Sequence, residues 1–255
     1  MSDKKNNYEY NLLLELADNN DIFAMKEIAS ITFNDSILSL NNSDRLKAFE
    51  YLKNLVENKD SEAFLTLGAL YYSGETEFVK QDYKSAEYYY NEALNLKPLN
   101  FNYNTTALNN LGYCYYYGRN NEPDYKKAFQ CFGKAAYLNH PNAMYKIGDM
   151  YEKGLYVKKC LNTAFYWYKK SYAYSGNDHY NLASVSQRIG RAYLYGEGTE
   201  INLLRALKYL QIAEKHFYSL AINKPILSNS NFVNKPLKFT QELLEKVRRQ
   251  LNLLI

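Results

Sequence analysis

The side chains best suited to catalysis or metal binding are three histidines and three cysteines: His140, His179, His216, Cys114, Cys131 and Cys160. Nucleophilic catalysis needs a nucleophile, a general base and a group that orients the base, all close together. The chain contains no G-x-S-x-G, H-E-x-x-H or P-loop pattern, and the histidines lie in separate segments, where we expect exposed side chains. The cysteines lack C-x-x-C spacing and are too few for a disulfide framework. We therefore predict that the protein is not an enzyme and binds no metal or cofactor.

The charged residues are balanced and dispersed. The chain has 31 basic and 27 acidic residues, for a net charge of +4, and basic doublets such as Lys158-Lys159 are separate from one another. Nucleic-acid binding draws its affinity from a concentrated basic face that neutralises phosphates. The charge pattern therefore argues against a nucleic-acid partner and is typical of solvated helix faces.

The N-terminal segment predicts neither a signal peptide nor a membrane span. Its apolar stretch, Leu12-Leu13-Leu14, is interrupted by Glu15 and is too short for either. With free thiols and no predicted export signal we expect a cytoplasmic protein, and delivery into a host or another cell stays an open alternative.

Four copies of one pattern run through the chain and align on the glycines Gly68, Gly112, Gly148 and Gly190. Each glycine follows an aliphatic residue, precedes a tyrosine by three positions and precedes a second glycine by six. Further along each copy comes an alanine: Ala86, Ala128, Ala164 or Ala206. A fixed pattern of this kind is the signature of a repeat architecture.

Within each copy, the spacing predicts two antiparallel helices, here called helix A and helix B. The small residues allow the two helices to approach closely, and the second glycine is expected to end helix A in the left-handed conformation. An acidic residue such as Asp82 or Asp124 is expected to begin helix B. The connections containing Phe101 and Asp178 are longer, which predicts longer B helices or projecting loops. A complete G-x-G motif follows helix A only in the fourth copy, so we expect the other A–B loops to differ.

These residues carry a family resemblance. The pattern A-x-x-x-L-G-x-x-Y-x-x-G…K-A-x-x-x-Y/F-x-x-A resembles the Sel-one-like repeat (SLR), a relative of the tetratricopeptide repeat, and the copy beginning at Ala107 shows it best. The resemblance implies an all-α fold, a right-handed α/α solenoid of tetratricopeptide-like helix pairs with terminal capping helices. Cysteine is absent from the positions that carry it in secreted, disulfide-rich members, which implies the branch without disulfides.

The resemblance also implies a domain organisation. We predict a single solenoid domain over residues 1–255. It would comprise an N-terminal cap helix and degenerate repeat (8–60), four Sel-one-like repeats (61–222), and a linker with a C-terminal capping helix (223–255). The degenerate copy contains Ala24, Ile28 and Ala48, and the last helix is expected to begin at Thr240, after a loop that contains Pro236.

In a tetratricopeptide-like solenoid the A helices line the inner surface, so the resemblance implies exposed positions at fixed distances from each glycine. From these positions we predict a partner-binding set on the concave face: Tyr72, Asn109, Tyr113, Tyr116, Tyr117, Tyr145, Asp149, Glu152, Gln187, Arg191 and Tyr195. Tyrosine offers a large contact area at a small entropic cost, and aromatic residues and arginine dominate interface hot spots.

The function predicted from these features is that of a non-catalytic protein–protein interaction scaffold or adaptor, which binds a peptide or protein partner on the concave helix-A surface. Two alternatives stay open. One is an immunity-type inhibitor that neutralises a toxin or enzyme, and the other is a hydrolase, for which the sequence gives no positive reason. We expect a monomer, with a homodimer through the apolar C-terminal helix as the alternative.

Overall fold

In a computed structural model, the residues described are 2–33, 42–74, 79–96, 101–223 and 231–252. They form α1 (Ser2–Asp18), α2 (Ile22–Phe33), α3 (Asn42–Glu57), α4 (Ser61–Ser73), α5 (Tyr83–Asn95), α6 (Phe101–Tyr117), α7 (Tyr125–Tyr137), α8 (Pro141–Lys153), α9 (Leu161–Tyr174), α10 (His179–Tyr195), α11 (Leu203–Asn223) and α12 (Asn231–Asn252). The predicted all-α fold of repeated helix pairs is confirmed. Among the described residues, no helix is both long enough and apolar enough to cross a membrane.

The chain divides into two compact units. The first, Met1–Glu122, contains α1 to α6, and the second, Pro123–Ile255, contains α7 to α12. The boundary falls in the turn between helices A and B of the second copy. The prediction of one solenoid domain over residues 1–255 stays a prediction.

Small and aliphatic side chains of α2 and α3 form much of the core of the first unit. Ala24, Ile28 and Ala48 are fully buried, and α2 packs against α3 as a helix pair. The assignment of this pair as a degenerate repeat stays a prediction. The segment 34–41, where we predicted a longer loop, lies outside the described residues. The first helix begins at Ser2, earlier than the predicted cap helix.

The glycine in helix A lets helix B of the same copy approach closely. A Cβ atom at Gly148 would lie 2.5 Å from Cε1 of Tyr168, and one at Gly68 would lie 2.7 Å from the ring of Tyr90. Real Cβ atoms essentially never make contacts below 3.0 Å. Glycine is therefore required at this position, because the helix B side chain that packs on it leaves no room for a Cβ atom.

The second glycine of each copy ends helix A, as predicted. Gly74, Gly154 and Gly196 have φ values of 64°, 72° and 72°, and each donates its N–H to the carbonyl four residues earlier. Helix B then begins at a side-chain cap, since Asp82 accepts from the N–H of Lys84 and Asp124 from that of Lys127.

The expectation that the A–B loops without a complete G-x-G motif would differ is wrong for the third copy. Tyr156 occupies the position of Gly198 and has a φ of 64°, close to the 76° of that glycine. At Gly198 a Cβ would lie 2.1 Å from the carbonyl oxygen of Leu161, so this loop requires glycine for space as well as for conformation. The third loop adopts the same left-handed backbone without that close contact.

The longer connections lead into longer A helices, which corrects the prediction of longer B helices or projecting loops. Helices α6 and α10 have 17 residues each, whereas α4 and α8 have 13. The loop before α10 is short, because Asp178 already caps that helix by accepting from the N–H of Asn181 at 3.0 Å. Residues 97–100, before α6, lie outside the described residues.

The last helix begins at Asn231 and passes through Pro236, so the predicted start at Thr240 is wrong. Thr240 is fully buried inside α12, and its hydroxyl donates to the carbonyl of Pro236 at 2.8 Å. Leu243 and Val247 join the core formed with α10 and α11, as expected of a capping helix. Residues 224–230 and 253–255 of the predicted linker and C-terminus lie outside the described residues.

Candidate partner-binding site

The residues that we predicted to bind a partner are divided between the two units. The first unit contains Tyr72 on α4 and Asn109, Tyr113, Tyr116 and Tyr117 on α6. The second contains Tyr145, Asp149 and Glu152 on α8 and Gln187, Arg191 and Tyr195 on α10. The two groups have different surroundings.

Tyrosines at the C-terminal end of α6 form an aromatic cluster. The rings of Tyr113 and Tyr117 are stacked at an interplanar angle of 4°, with centroids 6.0 Å apart. Tyr116 meets Tyr117 edge to face at 4.9 Å. Tyr117 is 52% exposed and Tyr113 is half-buried, so the cluster presents aromatic surface to the solvent.

An arginine that the sequence analysis missed lies over this cluster. The guanidinium carbon of Arg119 is 4.6 Å from the ring centre of Tyr83, 4.9 Å from that of Tyr72 and 5.6 Å from that of Tyr117. Cations at such distances from an aromatic face are attracted by its quadrupole. Arg119 therefore links the start of α5 and the ends of α4 and α6.

The backbone fixes the position of Arg119. Gly118 has a φ of 60°, and the N–H of Arg119 donates to the carbonyl of Cys114 at 3.0 Å, which is the six-residue closure of a Schellman turn. The signal in the sequence was an arginine directly after the second glycine. Arg119 lies outside the helix A positions from which the partner-binding set is predicted.

Asn120 attaches the same turn to α5. Its Nδ2 donates to the carbonyl of Tyr83 at 2.9 Å and to Oε2 of Glu87 at 2.6 Å, while the hydroxyl of Tyr115 donates to Oε1 of Glu87 at 2.7 Å. Each oxygen of this carboxylate thus accepts one hydrogen bond. Within the part of the chain that the structure describes, Arg119 forms no ion pair.

A cleft of about 490 Å³ lies beside the turn. It is lined by Lys84, Glu87, Tyr88, Asn91, Asn120 and Asn121.

Two residues of α6 that we predicted to be exposed are buried. Asn109 is 6% exposed and Tyr116 is 7% exposed, because α6 packs against α4 and α5. Their role in binding stays a prediction. Of the three tyrosines of α6 that we predicted to bind a partner, Tyr113 and Tyr117 are accessible.

In the second unit, the predicted residues form a buried ionic network centred on Asp149, which is 3% exposed. Arg188 donates from Nε to Oδ1 of Asp149 at 2.6 Å and from Nη2 to Oδ2 at 2.9 Å. The hydroxyl of Tyr168 also donates to Oδ1, at 3.0 Å, and Nζ of Lys146 lies 3.6 Å from Oδ2. Burial disfavours the charged carboxylate, but Arg188 and Lys146 outweigh it and lower the pKa of Asp149. The expected exposure of Asp149 is therefore wrong.

Arg191 extends the network. Its Nη2 lies 2.6 Å from Oε2 of Glu152, and its Nε donates to Oε2 of Glu197 at 2.8 Å. Burial favours the neutral form of Arg191, but the contact with Glu152 outweighs it and raises the pKa. Tyr145, predicted as an exposed contact, is buried beneath the guanidinium of Arg188, 5.0 Å from its ring centre. The network joins α8 to α10, and it leaves the side chains of Arg191 and Glu152 24% and 21% exposed.

The last two predicted residues contact α12. The Nε2 atom of Gln187 donates to the carbonyl of Pro236 at 2.8 Å and to the hydroxyl of Thr240 at 2.7 Å. Nζ of Lys246 lies 4.7 Å from the ring centre of Tyr195. The chain's own last helix thus takes up the amide group of Gln187, whereas Tyr195 is still 43% exposed.

The histidines make local contacts. The Nδ1 atoms of His179 and His216 lie 3.0 Å apart, and burial together with this neighbour lowers the pKa of His216. His140 is half-buried rather than exposed, and its Nδ1 accepts from the N–H of Ala143 at 3.4 Å, which caps α8. The described residues contain no group of three or more His, Cys, Asp or Glu side chains placed to hold a metal ion.

The Sel1 repeat family matches four segments, residues 66–97, 105–140, 141–173 and 179–216, which together make up more than half of the chain. This chain belongs to the Sel1 repeat family. Each matched segment contains one of the four aligned glycines, so the resemblance inferred from the sequence is confirmed. No curated protein matches the chain in sequence.

Crystal structures of Sel1 repeat proteins have a similar fold. A Sel1 repeat protein from Oxalobacter formigenes is 21% identical with a TM-score of 0.63, over 97% of this chain and 99% of that one. A protective antigen from uropathogenic Escherichia coli strains, which displays an SLR fold, is 23% identical with a TM-score of 0.66. That similarity covers 96% of this chain, but 47% of the antigen. An immunity protein from Pseudomonas aeruginosa is 19% identical over 88% of this chain and 80% of that one, with a TM-score of 0.44.

Proposed function

We propose that this chain is a non-catalytic scaffold that binds a peptide or protein partner through side chains at the C-terminal end of α6. Sel1 repeat proteins generally mediate protein–protein interaction, which supports binding as the class of function. The observation that carries the proposal is the half-exposed ring of Tyr117, which stacks with Tyr113 and contacts the guanidinium of Arg119.

Preorganisation makes this cluster a suitable contact surface. Stacking against Tyr113 and Arg119 already restricts the ring of Tyr117, so a partner that packs on it loses little further entropy. Tyrosine and arginine are also enriched among the residues that dominate binding energy. In the second unit the corresponding side chains contact one another or α12, which favours the first unit as the site.

The experiment is a lysate pull-down read by mass spectrometry with the full chain. It compares wild type with Tyr113→Ala/Tyr117→Ala and with the control Tyr137→Ala, which removes a tyrosine on α7 that is 85% exposed. Circular dichroism first establishes that all three proteins are folded. We expect a partner that is retained by wild type and Tyr137→Ala but lost from the double variant.

A partner retained equally by all three proteins would contradict the proposed site. The identity of the partner separates the two binding roles. A toxin or enzyme whose activity falls on binding would indicate an inhibitor, and any other protein would indicate an adaptor. The monomeric state and the cytoplasmic location stay predictions.

A further inference from the structure

We propose that Arg119 anchors an acidic side chain of the partner, so that the site takes a peptide with an Asp or Glu beside the residues that pack on Tyr113 and Tyr117. This inference rests on the proposed function and names the chemistry of its ligand. It follows from the surroundings of the guanidinium group, from the ion pairs elsewhere in the chain, and from the turn that carries the arginine.

The tyrosines hold the guanidinium without using its hydrogen-bonding capacity. A guanidinium is planar, and its five N–H donors point outward in the plane of the group. The ring faces of Tyr72, Tyr83 and Tyr117 stabilise the positive charge through their quadrupoles. These contacts do not use the N–H donors. The group is therefore fixed in place while its donors stay available for a carboxylate, which matches their geometry in a bidentate pair.

The carboxylates of the described residues do not pair with Arg119. Arg188 and Arg191 pair with acidic residues of their own unit, whereas Arg119 forms no ion pair among the described residues. Glu87, on the neighbouring helix α5, already accepts hydrogen bonds from Asn120 and the hydroxyl of Tyr115. An unpaired, half-buried cation in aromatic surroundings is complementary to an incoming anion, since partial burial strengthens the attraction between charges.

The position of Arg119 distinguishes the second copy from the others. The residue directly after the second glycine is Glu75, Arg119, Leu155 and Glu197 in the four copies. In the fourth copy, Glu197 turns inward and pairs with Arg191 at 2.8 Å. The same turn therefore carries an acceptor for an internal arginine in one copy and, in another, a cation that pairs with no carboxylate of the described residues.

The test selects peptides from a display library of random dodecapeptides on the immobilised full chain. The proteins are wild type, Arg119→Gln, Arg119→Lys, Tyr113→Ala/Tyr117→Ala and the control Arg205→Gln. Arg205 is a matched control, because its guanidinium lies 5.5 Å from a single ring, that of Tyr193, in the second unit. Thermal melts followed by circular dichroism establish that each variant is folded.

We expect peptides selected on wild type to be enriched in Asp or Glu. The best peptide, synthesised with a fluorescent label, should bind Arg119→Gln about 10-fold or more weakly, as expected for loss of a charge-assisted hydrogen bond. Arg119→Lys should be intermediate because it keeps the charge and loses the bidentate geometry. Arg205→Gln should bind like wild type. Replacing the peptide's Glu by Gln should weaken binding to wild type but not to Arg119→Gln, which is the non-additivity of a direct contact.

The outcomes separate this inference from the proposed function. Peptides that need Tyr113 and Tyr117 but contain no acidic residue, or that bind Arg119→Gln as well as wild type, would overturn the anchor and leave the proposed site standing. Peptides that bind every variant alike would overturn both. A library from which wild type enriches no peptide would overturn the anchor, and the pull-down would then decide the proposed function alone.

Discussion

The first unit and the second unit use equivalent positions of their A helices in opposite ways. One residue after the aligned glycine, the first unit has Tyr113 on α6, whereas the second has Asp149 on α8 and Arg191 on α10. The tyrosine contributes to a half-exposed aromatic cluster. The charged residues contribute to a buried network that joins two helices, with contacts as short as 2.6 Å.

At the glycine and the residue after it, the two turns share one backbone conformation, and their side chains differ. Gly118 and Gly196 have φ values of 60° and 72°, and in both turns the next N–H donates at 3.0 Å to the carbonyl five residues earlier. One turn then presents Arg119 over tyrosine rings, and the other presents Glu197 to Arg191. Within one repeat framework, side-chain identity decides whether a position joins helices or meets the solvent.

The largest expected effect comes from breaking the buried network. Arg188→Met leaves the carboxylate of Asp149 buried with Lys146 as its remaining cation, so we expect a loss of about 3–5 kcal/mol in the free energy of unfolding. Arg119→Met, the matched change in the first unit, removes cation–π contacts and should cost about 1 kcal/mol or less. Urea unfolding followed by circular dichroism measures both. Equal losses would contradict the distinction between the two regions.

A double variant sharpens the same comparison. Asp149→Leu/Arg188→Met replaces both members of the pair by apolar side chains, so no unpaired charge stays buried. We expect it to be more stable than Arg188→Met alone in the same urea experiment, since removing one partner is worse than removing both. A double variant less stable than either single variant would indicate packing, rather than charge, as the main role of these residues.

A smaller effect is expected where helix A meets helix B. Gly148→Ala places a methyl group against the ring of Tyr168 and should destabilise the second unit by about 1–3 kcal/mol. Gly133→Ala is the matched control, because a Cβ there meets no atom within 4 Å, and it should stabilise α7 by up to about 1 kcal/mol. Thermal melts should therefore shift in opposite directions, and a shift in the same direction would contradict the close contact.

The smallest effect is a dependence of stability on pH. Burial, His179 and Lys215 lower the pKa of His216, so the folded protein binds fewer protons than the unfolded chain. This contribution is complete above the ordinary histidine pKa of about 6.5 and is lost as the pH falls toward the lowered value. The free energy of unfolding should therefore decrease between about pH 7 and pH 5, and less steeply in His216→Gln. Urea unfolding at several pH values measures the slope, and an unchanged slope would contradict the role of His216.

A second histidine with a lowered pKa, His140, also contributes to this pH dependence. Burial lowers the pKa of His140, against the opposing effect of Asp178, so His140 contributes to the same slope. His140→Asn keeps a residue that can cap α8 and removes the titration. The double variant with His216→Gln should show the flattest profile of the set.

The repeat was predictable because its signals are local. Glycine, tyrosine and alanine at fixed spacing specify the helix pair, and the close contacts at Gly68 and Gly148 explain why those residue types recur. The exposure of individual side chains was not predictable in the same way, because it depends on residues far away in the sequence. Asp149 is buried by Arg188, 39 residues away, and Gln187 contacts Pro236, 49 residues away. The start of α12 was missed because proline usually ends or begins a helix, whereas Pro236 lies inside one.

The candidate site was only partly predictable. The tyrosines of α6 follow from the repeat, but Arg119 lies one residue past the glycine that ends the helix. A prediction limited to residues of helix A could not include it. Its importance becomes visible once the turn brings it over rings from α4, α5 and α6.

The turn after helix A tolerates substitution at one position, the residue that follows its glycine. Its geometry is set by a left-handed glycine and by main-chain hydrogen bonds, so the side chain that follows the glycine is not needed to shape it. The residue type at that position differs among the four copies, whereas the glycine before it is present in all of them. A single codon change there can alter what the module recognises while the main-chain geometry of the turn is inherited unchanged.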